Sequence, residues 1–206
     1  MPRRYPRHNQ QLQSKESEAG IEIPQFLRRL GISGRLKLGF DPLRTIFILF
    51  LAIYGFRGAR NYDQFLFIHN FNLLIHEAGH LIFGILGEFI GFMGGTLMQL
   101  IVPIAFIVSF WCQKQRYAAA VCLFWLSINL FDVSRYLKDA RSQLIPLLGG
   151  EAVTHDWFYL LGRTGLLTHD QTIGNFVYGI AWLLYLVAIG AGFYFCRHSA
   201  PKPKQK

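Results

Sequence analysis

Five consecutive residues, His76-Glu77-Ala78-Gly79-His80, carry the chemistry of this chain. On an α-helix, residues four apart share a face, so two imidazoles at this spacing converge on one metal ion. The intervening glutamate is then placed to take a proton from a metal-bound water and pass it to a leaving amine. The competing reading is a histidine pair hydrogen-bonded between packed helices. Location counts against it. The three ionisable groups fall a third to halfway along the apolar stretch Phe65–Met93, and such groups are costly in hydrocarbon and usually mark function.

Two histidines do not complete a zinc site, which usually takes a third protein ligand plus water. The downstream candidates are Asp132, Asp139, His155 and Asp156. Asp132 and Asp139 flank Arg135 at helical spacing, so a surface Asp–Arg–Asp ladder accounts for one of the two. His155-Asp156-Trp157 admits two readings. In the preferred one, Asp156 caps a short helix over Trp157–Leu161 and Trp157 sits at the membrane interface. In the other, His155 or Asp156 folds back over the metal as ligand or lid. His169-Asp170 reads as another cap. His69 shares the helical stripe of His76 but lies about 10 Å away along the axis, too far to join the same ion. It is expected as a packed or hydrogen-bonded polar group. Asn72, one turn before His76, is a candidate donor to it. Gly87, Gly91 and Gly95 recur every four residues. A small-residue stripe for close helix packing is the leading explanation. The other is a glycine-rich break, continuing to Gln99, that exposes backbone to an extended substrate.

The elements that must hold these residues follow from composition. The chain has 206 residues, 52% hydrophobic and only 16% charged, which excludes a disordered chain. Three cysteines, Cys112, Cys122 and Cys196, in apolar surroundings exclude a disulfide scaffold. The net charge of +9 is concentrated in the tails: residues 1–46 carry +5, residues 197–206 carry +4, and the stretch between sums to zero. Basic flanks on a neutral apolar body suit the cytoplasmic face of an anionic membrane. They lack the aromatic interleaving of a nucleic-acid platform, so no nucleic-acid partner is expected.

The expected fold is an all-α integral membrane protein, a polytopic helical bundle of about four full spans plus one short or partial span. Residues 1–20 read as a disordered basic arm without a cleaved signal peptide, and 21–42 as an amphipathic juxtamembrane segment. Residues 43–196 form the membrane-embedded domain, and 197–206 the basic tail. Within the domain, Thr45–Phe56 is about 18 Å long as a helix and is taken as the partial span. Phe65–Met93, Thr96–Cys112, Tyr117–Phe131 and Ile173–Cys196 are the full spans, and the third can continue as helix through Asp132–Arg141. With Thr45–Phe56 not crossing, both tails and the Lys114/Arg116 loop share one side.

The motif within a hydrophobic span resembles the site-2 protease family of intramembrane zinc metalloproteases. In that family the third ligand is an Asp in a later span, within an N-x-x-P…L-D-G motif. Here Asn129-Leu-Phe-Asp132 through Lys138-Asp139-Ala140 keeps the Asn followed by an acid, without the Pro and with Ala140 for the Gly. The likeness covers roughly residues 65–150. It implies Zn2+ held by His76, His80 and Asp139, with Glu77 as catalytic base in a zinc metalloendopeptidase. By rise along an unbroken helix, Asp132 rather than Asp139 lies level with the histidines, and it is the fallback ligand. The implied substrate is a membrane protein or peptide, and the basic tails would contact anionic lipid. The expected location is multi-pass in a membrane, a bacterial inner membrane in this reading, with the tails cytoplasmic. The alternative is a non-catalytic metal-binding membrane scaffold or degenerate protease relative. A di-iron oxidase and a metal transporter rank lower, since carboxylate–histidine pairs and charged groups on several spans are missing. No PDZ-like domain is expected, and the oligomeric state is open.

Overall fold

The computed structural model describes residues 41–61, 67–148, 150 and 153–196. The expected basic arm, nearly all of the juxtamembrane segment and the basic tail lie outside the described residues. The described chain is an all-α polytopic bundle of six helices: α1 (Pro42–Arg60), α2 (Phe67–Phe83), α3 (Glu88–Cys112), α4 (Arg116–Lys138), α5 (Asp156–Thr164) and α6 (Asp170–Phe195). By length and composition α1, α3, α4 and α6 can cross a membrane, the last with the 3-10 turn Leu167–His169 that precedes it. Large apolar side chains such as Phe67, Leu81, Leu43 and Phe176 are at least 70% exposed, as helices facing lipid require.

The number of long helices matches the expectation, but their identity differs in two places. The expected partial span is a helix of 19 residues. Its start extends back to Pro42 because Asp41 caps it, accepting from the backbone N–H of Leu43 and Arg44, with proline in the first turn. The expected single span Phe65–Met93 is instead two helices. α2 stops at Phe83 in the 3-10 turn Gly84–Leu86, and Gly87, at φ +108°, turns the chain into α3. That backbone angle favours glycine.

The backbone of Asp41 donates to the carbonyl of Cys196, and the Tyr117 hydroxyl to the carbonyl of Arg44. The start of α1, the start of α4 and the end of α6 therefore share one end of the bundle, so the described chain begins and ends there. α3 runs toward it and α2, antiparallel to α3, runs away, in the same direction as α1. The start of α2 lies part-way back along α1, where the Tyr54 hydroxyl accepts from the N–H of Ile68. This is how a long first helix coexists with both ends of the described chain at one end of the bundle. α1, α4 and α6 pack around Ile48, Phe124, Ile128, Phe131, Ala181 and Tyr185. The hydroxyls of Tyr178 and Tyr185 donate to the α1 carbonyls of Ala59 and Ala52. α4 runs unbroken to Lys138, through the polar residues after Phe131. Its far end is tied to α6 by a two-point ion pair of Arg141 with Asp170. Asp170 also accepts from the backbone of Gln171, but His169 makes no side-chain cap of the helix.

α2 and α3 meet backbone to backbone. A Cβ on Gly79 would strike the Gly94 carbonyl, and one on Gly94 would lie 2.6 Å from the Gly79 carbonyl and 2.7 Å from the Phe83 Cβ. Of the anticipated stripe, Gly95 faces α2 together with Gly94, and Gly91 faces Gly84 in the turn that follows α2. Gly94→Ala is expected to lower stability by about 1–3 kcal/mol through forced separation of the pair. Gly190→Ala, where a Cβ meets nothing, should be neutral or slightly stabilising. Thermal unfolding of both variants in detergent checks this.

Candidate metal centre

α2 presents His76 and His80 on the face turned to α3, and the loop into α5 returns Asp156 to the same point. The His76 Nε2 is 2.9 Å, and the His80 Nε2 3.3 Å, from one oxygen, Oδ2, of Asp156. One ligand atom from each of the three lies within 4.8 Å of the others, and among the described residues this is the one His/Cys/Asp/Glu group that could hold a metal ion.

The opposite face of each imidazole fixes its orientation. His76 Nδ1 faces the side-chain oxygen of Gln99 at 3.1 Å, and His80 Nδ1 faces the carbonyl of Gly91 at 2.8 Å. Both partners accept, so each Nδ1 donates and each Nε2 is left to face the carboxylate. Such an Nε2 either carries a proton, as an ion pair with Asp156, or offers a lone pair to a cation seated between the three groups. In a tetrahedral zinc site with bonds of 2.0–2.1 Å, ligand atoms stand roughly 3.3 Å apart, close to the two separations above. His76 and Asp156 are buried and His80 half-buried, with Glu77 beside them on the wall of a cavity of about 820 Å³. The residues present fit zinc: two nitrogen donors, one oxygen donor and an open side toward the cavity.

Gly95 makes room for this cluster. A Cβ there would lie 2.5 Å from the His76 Nε2 and 2.6 Å from the His80 Nε2. Gly95→Ala is expected to weaken zinc binding about 10- to 100-fold, the usual cost of disturbing groups that orient ligands. Zinc retained against a graded chelator checks it.

In comparisons with known proteins, no family model, curated protein or solved structure matches this chain.

The other candidates lie elsewhere. Asp139 follows α4, and its carboxylate accepts from Ser142 Oγ (2.7 Å) and from the backbone N–H of Leu144 and Ile145 (2.9 Å each). The structure does not bring it to the histidines. Unbroken α4 carries it past their level, and its oxygens are taken up in holding the turn that follows. It acts at a distance, since its Oδ2 is 3.5 Å from the Nε2 of His155, the residue before Asp156. His155 is buried, which pushes its pKa below the ordinary histidine value, and the Asp139 carboxylate only partly offsets this.

His155, not Asp156, is the N-cap of α5: its Nδ1 accepts from the N–H of Phe158. The short helix is as expected, but the cap shifts by one residue, and that frees the Asp156 carboxylate to reach α2. Tyr136 backs the arrangement. Its hydroxyl accepts from the N–H of Asp156, and its ring centroid is 4.0 Å from that of His155.

Asp132 pairs instead with His69, at 2.6 Å, and accepts from Asn72, which in turn accepts from the Trp125 indole. Asn72 therefore serves a second polar network rather than His76. Gln99 and Tyr136 were not foreseen as parts of the site. Gln99 had a signal, being an amide side chain inside an apolar span. Tyr136 had none, because a tyrosine near the end of a membrane helix is common.

Proposed function

We propose that this protein is an intramembrane zinc metalloprotease that hydrolyses peptide bonds of membrane-associated substrates. The observation that carries the reading is the convergence of His76, His80 and Asp156 inside a bundle of membrane-length helices, with Glu77 beside them on the cavity wall. His76, His80 and Asp156 would hold the ion, in the orientations that Gln99 and Gly91 impose. Zinc, when bound, supplies Lewis-acid activation of water and of the scissile carbonyl. Glu77, adjacent in sequence to a ligand but not part of the cluster, accepts the proton of the attacking water and returns it to the leaving amine. The substrate must reach the site unwound, because a peptide bond inside a helix is shielded by its own hydrogen bonds. Both tails are proposed to lie on the cytoplasmic side, against anionic lipid.

The test pairs zinc content with cleavage. Protein purified in detergent is expected to carry about one zinc per chain by mass spectrometry and to cut an unfolded protein such as casein, with cutting lost in Glu77→Gln. Absence of zinc after reconstitution, or cleavage that survives Glu77→Gln, would overturn the reading. Stoichiometric zinc with no cleavage of any substrate, and indifference to Glu77→Gln in every assay, would favour a metal-binding scaffold.

A further inference from the structure

The cavity beside the cluster is lined by four carboxylates, Glu77, Glu88, Asp132 and Asp156, and by one guanidinium, Arg135. Three of the acids are accounted for. Asp132 is held by His69 and Asn72, Asp156 by the two histidines, and Glu88 is approached by the Tyr159 hydroxyl. Glu77 is assigned above as the base.

Arg135 is the exception. It is half-buried, it lines the cavity, and its guanidinium makes no ion pair or hydrogen bond with any described residue. Its neighbours on α4 make this notable. Asp132 and Asp139 stand one turn before and after it, the ladder its spacing suggested, yet each is committed to other partners. A guanidinium inside a membrane protein without a direct ion-pair partner among the described residues is costly, and it cannot escape by losing its proton. Its fork of donors matches a carboxylate at two points.

We propose that Arg135 receives a carboxylate of the peptide substrate. This rests on the protease reading above and narrows its substrate class. The substrate is a peptide segment presenting a carboxylate, either a free C-terminus or an acidic side chain, within the cavity that holds the metal cluster. A ligand seated there shares the cavity with Glu77, which favours the molecule to be cut over a lipid headgroup.

The test is binding to zinc-loaded Glu77→Gln protein in detergent. The probes are three fluorescent apolar peptides that differ only in carrying a free C-terminal carboxylate, a C-terminal amide, or an amide plus one internal glutamate. At least one carboxylate peptide is expected to bind about tenfold or more tightly than the neutral amide, as a charge-assisted pair provides. Which of the two does so identifies the source of the carboxylate. Arg135→Gln on the same background should erase the preference with zinc content unchanged, and Arg135→Lys should restore part of it. Equal binding of the three peptides, a preference that survives Arg135→Gln, or no peptide binding would overturn the inference. So would an Arg135-dependent affinity for phosphatidylglycerol micelles alone. Failure of the protease reading looks different: zinc is missing, or wild-type cleavage is independent of Glu77.

Discussion

Glu77→Gln is expected to lower the rate of peptide hydrolysis by about 10²- to 10⁴-fold, the usual contribution of a positioned general base, while zinc per chain stays at the wild-type value. The amide is the same size as the carboxylate, so the helix, the cluster and the cavity wall persist. What it cannot do at neutral pH is accept a proton. The split between activity and metal content makes the variant informative. The side chain adjoins a ligand in sequence, yet its carboxylate is not among the atoms that cluster around the metal position. A variant that loses zinc and activity together would place Glu77 among the ligands instead, and unchanged hydrolysis would remove it from the chemistry.

Asp156→Ala and Asp139→Ala are expected to separate cleanly. Removing Asp156 takes away the anionic member of the proposed ligand set and leaves two imidazoles, so zinc affinity should fall by more than the 10- to 100-fold typical of groups that merely orient ligands. Removing Asp139 leaves the N–H of Leu144, the N–H of Ile145 and the Ser142 hydroxyl without their acceptor. That should cost about 1.5–3 kcal/mol of stability, the usual worth of hydrogen bonds to a charged group, with zinc still bound when supplied in excess. Chelator competition and thermal unfolding on both variants decide the matter. Zinc lost in Asp139→Ala and kept in Asp156→Ala would reverse the assignment and restore the ligand that the family resemblance implies.

Much of this architecture was readable from residue order, and the parts that were not share a cause. The histidine pair and its helix follow from spacing alone, because positions four apart face one way on any helix. The count of membrane-length helices follows from apolar runs. Helix boundaries depended on caps that hydropathy does not register: Asp41-Pro42 lengthened α1, and Gly87 divided the stretch expected as one span. The topology depended on α1 and α2 running in parallel, whereas counting spans assumes that each helix reverses the last. The third member of the cluster depended on distant chain. Asp156 is 80 residues from His76, and nothing local distinguishes an aspartate that caps its own helix from one whose cap has moved to the preceding histidine. The resemblance pointed to α4, which does pass the cavity. It contributes Tyr136, Arg135 and Asp132 to the wall, and Asp139 to the turn that leads back toward Asp156.

That separation also orders events during synthesis. A ribosome that has released α2, α3 and α4 has delivered two imidazoles but no carboxylate for the cluster. Closing the site means shutting a loop that contains two complete membrane-length helices, and such long closures come late in folding. The nascent chain thus passes most of its insertion with an incomplete metal pocket. Under the proposed function, competence to bind zinc tightly, and to cut, would arrive only when the short helix bearing Asp156 docks, and the protease would stay inert toward neighbouring helices until then.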